Sequence, residues 1–164
     1  MFATGANNGS KRKGLMPTNV ALDTSVIIKW FRQEEVWAEQ ALKLRAAYLE
    51  GIVSIMVPWL LIYEVANVLR YKKEYSTEQV QTAVQSLFDM QLTWIEPGPK
   101  LINQAVHLAH LHDVAVYDAT FAAIAEENRV VFFTANDRFV RRTDTLEFVQ
   151  FLSKADQFLT SLEY

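Results

Sequence analysis

Four places in the chain put acids or amides where simple solvation does not account for them. Asp23 follows the apolar run Val20-Ala21-Leu22 and precedes Thr24-Ser25. Glu64 lies inside an apolar stretch, between Trp59-Leu60-Leu61-Ile62-Tyr63 and Val65-Ala66. Asp118 heads a segment rich in small residues, and Asn136-Asp137 follow the β-branched and aromatic run that ends at Thr134. A carboxylate among apolar neighbours carries a desolvation penalty that raises its pKa, and carboxylates that converge repel one another. A hard divalent cation relieves both strains, because Mg²⁺ and Mn²⁺ take oxygen ligands and retain water. Such an ion lowers the pKa of bound water, orients a phosphate and stabilises developing charge. Each residue also has an ordinary explanation. Asp23 could end a strand or cap a helix, Glu64 could pair with Arg70 or Lys72, Asp118 could be an N-cap, and Asn136-Asp137 could form an Asx-turn. One ion-centred pocket would account for all four together.

The elements that must position these groups follow from patterning. Short apolar runs predict strands at 20–22, 54–57, 92–95, 130–133 and 146–151. Helices are expected at 26–31, with Thr24 or Ser25 as N-cap, and at 34–48, ended by Gly51. Pro58 is expected to start a helix whose apolar stripe is Leu61, Val65, Val68 and Leu69. Ser76 and Gln79 have capping-box spacing for a helix to about Phe88. Pro97-Gly98-Pro99 stops the third strand. Further helices are expected at 101–111, at 119–127 opened by Asp118, and at 136–141. Strands that alternate with helices and are apolar throughout predict a three-layer α/β/α sandwich with a central parallel sheet of four to five strands. Ligands in such folds sit beyond the carboxyl ends of the strands. Asp23 and the segment 134–137 fall there.

Composition narrows the chemistry. The 164 residues include no cysteine, which excludes disulfides, thiolate metal sites and cysteine nucleophiles. The three histidines do not make a metal site. His107 and His110 share a helix face without a carboxylate, and His112-Asp113 lacks the other histidines a phosphohydrolase would need. Sixteen basic residues against nineteen acidic give a net charge of −3, which argues against a broadly basic surface that wraps nucleic acid. Lys11, Arg12 and Lys13 sit in a Gly/Asn/Ser-rich opening. Residues 1–16 read as a flexible leader or an over-called start, and 17–164 as a single domain. Neither a secretory signal nor a membrane span is expected, and the chain reads as cytoplasmic. Trp30, Phe31, Trp37, Trp59 and Tyr63 crowd the first half, most of them as core.

Four segments carry a resemblance: Ala21-Leu22-Asp23-Thr24-Ser25, Tyr63-Glu64-Val65-Ala66-Asn67-Val68-Leu69, Val116-Tyr117-Asp118-Ala119 and Phe133-Thr134-Ala135-Asn136-Asp137-Arg138-Phe139. In order, spacing and context the chain resembles the PIN-domain family, and within it the VapC-type toxin ribonucleases of toxin–antitoxin pairs. The resemblance runs from about Thr18 to the C-terminus. It implies metal-dependent hydrolysis of RNA phosphodiester bonds.

On that resemblance Asp23, Glu64, Asp118 and Asp137 would be catalytic, and the first three would hold Mg²⁺, with Mn²⁺ as a substitute. Glu64 would complete the shell or accept a proton from the attacking water. Ser25 and Thr134 would be supporting hydroxyls. The family pattern places an aspartate two residues after the threonine. This chain has Asn136 there and Asp137 one position later, so either could face the site. Arg138, Arg141 and Arg142 would contact the RNA backbone, with Lys29 and Arg32 as similar candidates. A salt-bridged surface, with Asp144 or Glu147 as partners, would serve the arginines equally. The implied partners are an RNA substrate, a cognate antitoxin protein and a second copy of the chain in a homodimer. Against this stands a non-catalytic PIN-like module that binds RNA or protein. A phosphotransfer receiver fits worse, because it would leave Glu64 unexplained.

Overall fold

A computed structural model describes residues 16–162, and the expected leader lies outside the described residues except for Met16. Five strands, β1 (Thr18–Leu22), β2 (Val53–Pro58), β3 (Thr93–Ile95), β4 (Val131–Thr134) and β5 (Val149–Phe151), form one sheet in the order β3-β2-β1-β4-β5. Every pairing is parallel. Val20 sits opposite Ile55 on one side of β1, and Leu22 opposite Phe133 on the other. Parallel strands need crossovers, and the intervening helices supply them. The helices are α1 (Thr24–Ile27), α2 (Ala38–Leu49), α3 (Leu60–Arg70), α4 (Thr77–Asp89), α5 (Pro99–His112), α6 (Val116–Asn128), α7 (Asp137–Arg142) and α8 (Ala155–Ser161).

The two faces are covered by different helices, and adjacent residues of β4 show it. Successive side chains of a strand point to opposite faces. Phe132 stacks on Phe121 of α6, with ring centroids 6.4 Å apart. Phe133 meets Phe158 of α8 edge-on at 5.2 Å. The molecule is therefore a three-layer α/β/α sandwich, and Leu22, Ile55, Phe132 and Phe133 fill its centre with no solvent exposure beyond 1%. No helix among the described residues is long and apolar enough to cross a membrane.

Several local expectations change. The expected helix at 26–31 is the four-residue α1 followed by a 3₁₀ turn, Ile28–Trp30, and its N-cap is Asp23 rather than Thr24 or Ser25. The helix expected from Glu34 begins at Ala38. Glu34 and Glu35 are held back by Arg32 and Lys29, and Trp37 adopts a left-handed φ of 68° that no helix can pass through. Pro58 ends β2 instead of starting α3; its fixed φ suits either role, and pairing with Ile95 decides it. The last strand is shorter than expected, and α8 was not foreseen. The Ser76–Gln79 capping box is present with both hydrogen bonds, and Gly51, at φ +73°, follows the end of α2.

Candidate active site

The strand order reverses direction at β1. The chain steps outward from β1 to β2 and β3, then returns to place β4 on the other side of β1. Loops leaving β1 and β4 therefore diverge, and a crevice opens at their carboxyl ends. Asp23 leaves β1 at that point, and its backbone N–H still reaches the Phe133 carbonyl at 3.4 Å.

The Asp23 side chain is held by three donors. Its Oδ1 accepts from the Ser25 hydroxyl at 2.5 Å and from the Val26 N–H at 3.2 Å, and its Oδ2 accepts from the Thr134 hydroxyl at 2.5 Å. Ser25 Oγ in turn accepts the Ala135 N–H at 2.8 Å, and Thr134 Oγ1 accepts the Asn136 N–H at 3.0 Å. Two hydroxyls thus sew the end of β1 to the end of β4 through one carboxylate.

A cavity of about 360 Å³ opens over this knot. Its lining includes Asp23, Thr24 and Ser25 from the β1 exit, Glu64 and Asn67 from α3, Asp118 from α6, and Asn136 from the β4 exit. No Lys, Arg or His among the described residues lines it. Burial pushes the Asp23 carboxyl up to about 6 from its ordinary 3.8, more than its three hydrogen bonds lower it, and Asp118 adds repulsion. Glu64 is raised by burial and by the charges of Asp118 and Asp23, against the lowering effect of its hydrogen bond from the Thr24 hydroxyl. Asp118 is raised by burial. The donor set is all oxygen, which suits a hard divalent ion. Among the described residues, however, no three His, Cys, Asp or Glu side chains form a group that could hold a metal ion. The acids share a cavity without forming a closed ligand shell.

The other expected positions divide cleanly. Asn136 lines the cavity and caps α7, accepting the Phe139 N–H at 3.1 Å. Asp137 is absent from the lining, lies on the surface and pairs with Arg141. Arg142 pairs with Asp113 rather than with Asp144 or Glu147. Arg138 and Arg142 line a second cavity of about 250 Å³. Lys29 is bound to Glu35 at 2.9 Å, and Arg32 to Glu34 and Glu35 at 2.8 Å and to Glu74 at 3.5 Å, so both cations are committed within the fold. His110 and His112 hydrogen-bond backbone carbonyls, of Val106 and Arg142 respectively.

Two polar lining residues were not foreseen. Asn67 follows Glu64 by three positions on α3, a spacing that places both on one helix face and could have marked it. Thr24, read only as a cap, donates its hydroxyl to Glu64 and so links the β1 exit to α3.

Comparison with known proteins places the arrangement. No curated protein matches the chain. Among solved structures, PAE2754 of Pyrobaculum aerophilum is similar with a TM-score of 0.61 at 18% identity, over 92% of this chain and 98% of that one. A toxin–antitoxin complex from Klebsiella pneumoniae matches with a TM-score of 0.56 at 19% identity, over 74% of this chain and 89% of its own. VapC20 of Mycobacterium tuberculosis, described as a toxin that cleaves the sarcin–ricin loop, matches with a TM-score of 0.58 at 14% identity, over 74% and 94%. At these identities the likeness is one of fold. The family is shown by the sequence itself: residues 20–144 match the PIN domain, and the chain belongs to the PIN-domain family.

Proposed function

We propose that the chain is a divalent-metal-dependent endoribonuclease that hydrolyses RNA phosphodiester bonds, and that it is the toxin of a type II toxin–antitoxin pair. The observation that carries the reading is the cavity that Asp23, Glu64 and Asp118 line from three separate elements, with no basic side chain in its lining to neutralise them. Membership of the PIN-domain family supports it, as do the toxin and toxin–antitoxin structures of the same fold.

Asp23, Asp118 and Glu64 would hold the ion, Mg²⁺ or Mn²⁺, directly or through water. When bound, the ion supplies activated water and neutralises charge at phosphorus. The chain's own residues do the rest. Ser25 and Thr134 fix both Asp23 oxygens, so this carboxylate is oriented before any ligand arrives. Glu64 would complete the ion's shell or accept a proton from the attacking water, and the Thr24 hydroxyl donates to one of its oxygens. Asn136, rather than Asp137, offers a neutral carboxamide at the fourth position. The setting is the cytoplasm, with an antitoxin and a second copy of the chain as protein partners.

The test is incubation of the purified protein with structured RNA in Mg²⁺ or Mn²⁺, then in EDTA. Metal-dependent cleavage, abolished in Asp23→Asn and Asp118→Asn, is the expected result. A second reading, a non-catalytic PIN-like module, draws on the open spacing of the acids and on Asn136. RNA or protein binding without cleavage in either metal would establish it instead.

A further inference from the structure

The acidic cavity does not stand alone. On one side it shares Asp118 and Asn136 with the 250 Å³ cavity that Arg138 and Arg142 line. On the other it shares Asn67 with a groove of about 490 Å³ between α3 and α4, lined by Tyr63, Tyr75 and Arg70 among others. The three openings adjoin through these shared residues, and their chemistry differs: Arg138 and Arg142 stand beside Asp113 at the first, carboxylates line the centre, and tyrosines line the third.

The cationic end has one committed and one uncommitted arginine. Arg142 is clamped by the Asp113 carboxylate and carbonyl, so its charge is matched. Arg138 makes no ion pair or hydrogen bond with a described residue and acts on Asp113 only at a distance. At the aromatic end, Tyr63 is 75% exposed, on a face of α3 shared with Ala66, Asn67 and Arg70, so its ring is open to a ligand. Tyr75 beside it is fixed by its hydroxyl on the Phe31 carbonyl at 2.7 Å. Asn67, between the acids and the rings, has a carboxamide with no hydrogen-bond partner among the described residues.

A polymer with charge and a flat apolar group at each repeat matches that sequence of surfaces. We infer that single-stranded RNA crosses the acidic cavity with one flanking phosphate held at Arg138 and one flanking base laid on Tyr63. The inference rests on the nuclease reading for the substrate at the centre and adds its direction and its two contacts. A base paired in an A-form duplex cannot turn its face to a tyrosine, so the groove selects unpaired RNA. A phosphate at Arg138 contributes to binding through counterion release, whereas a base on Tyr63 contributes through stacking, which salt barely affects.

The experiment measures binding of a labelled single-stranded RNA by fluorescence anisotropy across a salt series, in EDTA and in Ca²⁺. The proteins are wild type, Arg138→Ala, Tyr63→Ala and Arg141→Ala, each checked for folding by circular dichroism. Arg138→Ala is expected to weaken binding on the order of ten-fold and to lower the slope of log affinity against log salt by about 0.7. Tyr63→Ala is expected to weaken it on the order of ten-fold at every salt concentration with the slope unchanged. Arg141→Ala, already paired with Asp137, is expected to change neither. The inference is overturned if the wild type binds no RNA in either condition, if Arg138→Ala or Tyr63→Ala binds as the wild type does, if Arg141→Ala loses as much as Arg138→Ala, or if duplex RNA binds as tightly. Cleavage by the wild type with these variants binding normally would sink the RNA path and leave the nuclease standing. The expected binding pattern without cleavage in Mg²⁺ or Mn²⁺ would do the reverse.

Discussion

The hydroxyl of Thr134, at the last position of β4, donates to Asp23 Oδ2 at 2.5 Å across 111 residues of sequence. Thr134 is fully buried, so the bond is made away from bulk water. With Ser25 on the other oxygen, it fixes a carboxylate that burial alone would neutralise.

Thr134→Val keeps the shape and removes the hydroxyl, both as donor to Asp23 and as acceptor of the Asn136 N–H. Asp23 then keeps its burial and loses a charge-assisted bond, a loss of about 1.5–3 kcal/mol. We expect a lower midpoint in urea for Thr134→Val and near wild-type behaviour for Thr134→Ser. Equal midpoints for the two variants would show that the hydroxyl contributes nothing.

Asp23 makes stability depend on pH. Its pKa is near 3.8 in the unfolded chain and about 6 in the fold, so the fold binds this proton more tightly. Its contribution is complete below about pH 4 and is lost as pH rises through about 6. Two pKa units correspond to at most about 3 kcal/mol, and less here because Asp23 is only half-buried. In EDTA the melting temperature should fall between pH 5 and pH 7.5, and Asp23→Asn should flatten that fall. Divalent ions need the ionised carboxylate, so stabilisation by added Mg²⁺ or Mn²⁺ should grow over the same interval. A melting temperature that rises toward pH 7.5 in EDTA would contradict this assignment.

Ser76 caps α4 and does not line the acidic cavity. It accepts the Gln79 N–H at 3.2 Å, while the Gln79 side chain accepts the Ser76 N–H at 2.8 Å. Ser76→Ala should cost about 1 kcal/mol in chemical denaturation. The hydrogen bonds that hold Asp23 should be unchanged, so the pH dependence of its melting temperature should be that of the wild type.

The sequence discloses the sheet more readily than the edges of its helices. Uninterrupted apolar runs such as Val130 to Phe133 have one good solution, a strand covered on both faces, so the layers could be read directly. Boundaries fail where tertiary partners override local preference. Glu34 and Glu35 have helical propensity, but Lys29 and Arg32 hold them in the preceding turn. Pro58 looks like a helix start until β3 pairs beside it. The three carboxylates could be picked out because each breaks an apolar pattern. The choice between Asn136 and Asp137 could not, since neighbouring residues differ only in which way the chain turns after β4. The direction of that turn is settled by Asn136 capping α7 and by Asp137 reaching Arg141. Thr24 carries no such break and becomes visible only when α3 lies against the β1 exit, whereas Asn67 could be reached only through its helical spacing from Glu64.

The placement of β4 beside β1 has a consequence for synthesis. A ribosome releases Asp23 and Glu64 long before Thr134 exists, and until β4 inserts, only the neighbouring Ser25 and Val26 hold the first acid, its Oδ2 lacks the Thr134 hydroxyl, and the Asn136 wall of the cavity is missing. The pocket is thus complete only after β4 has joined β1, late in synthesis.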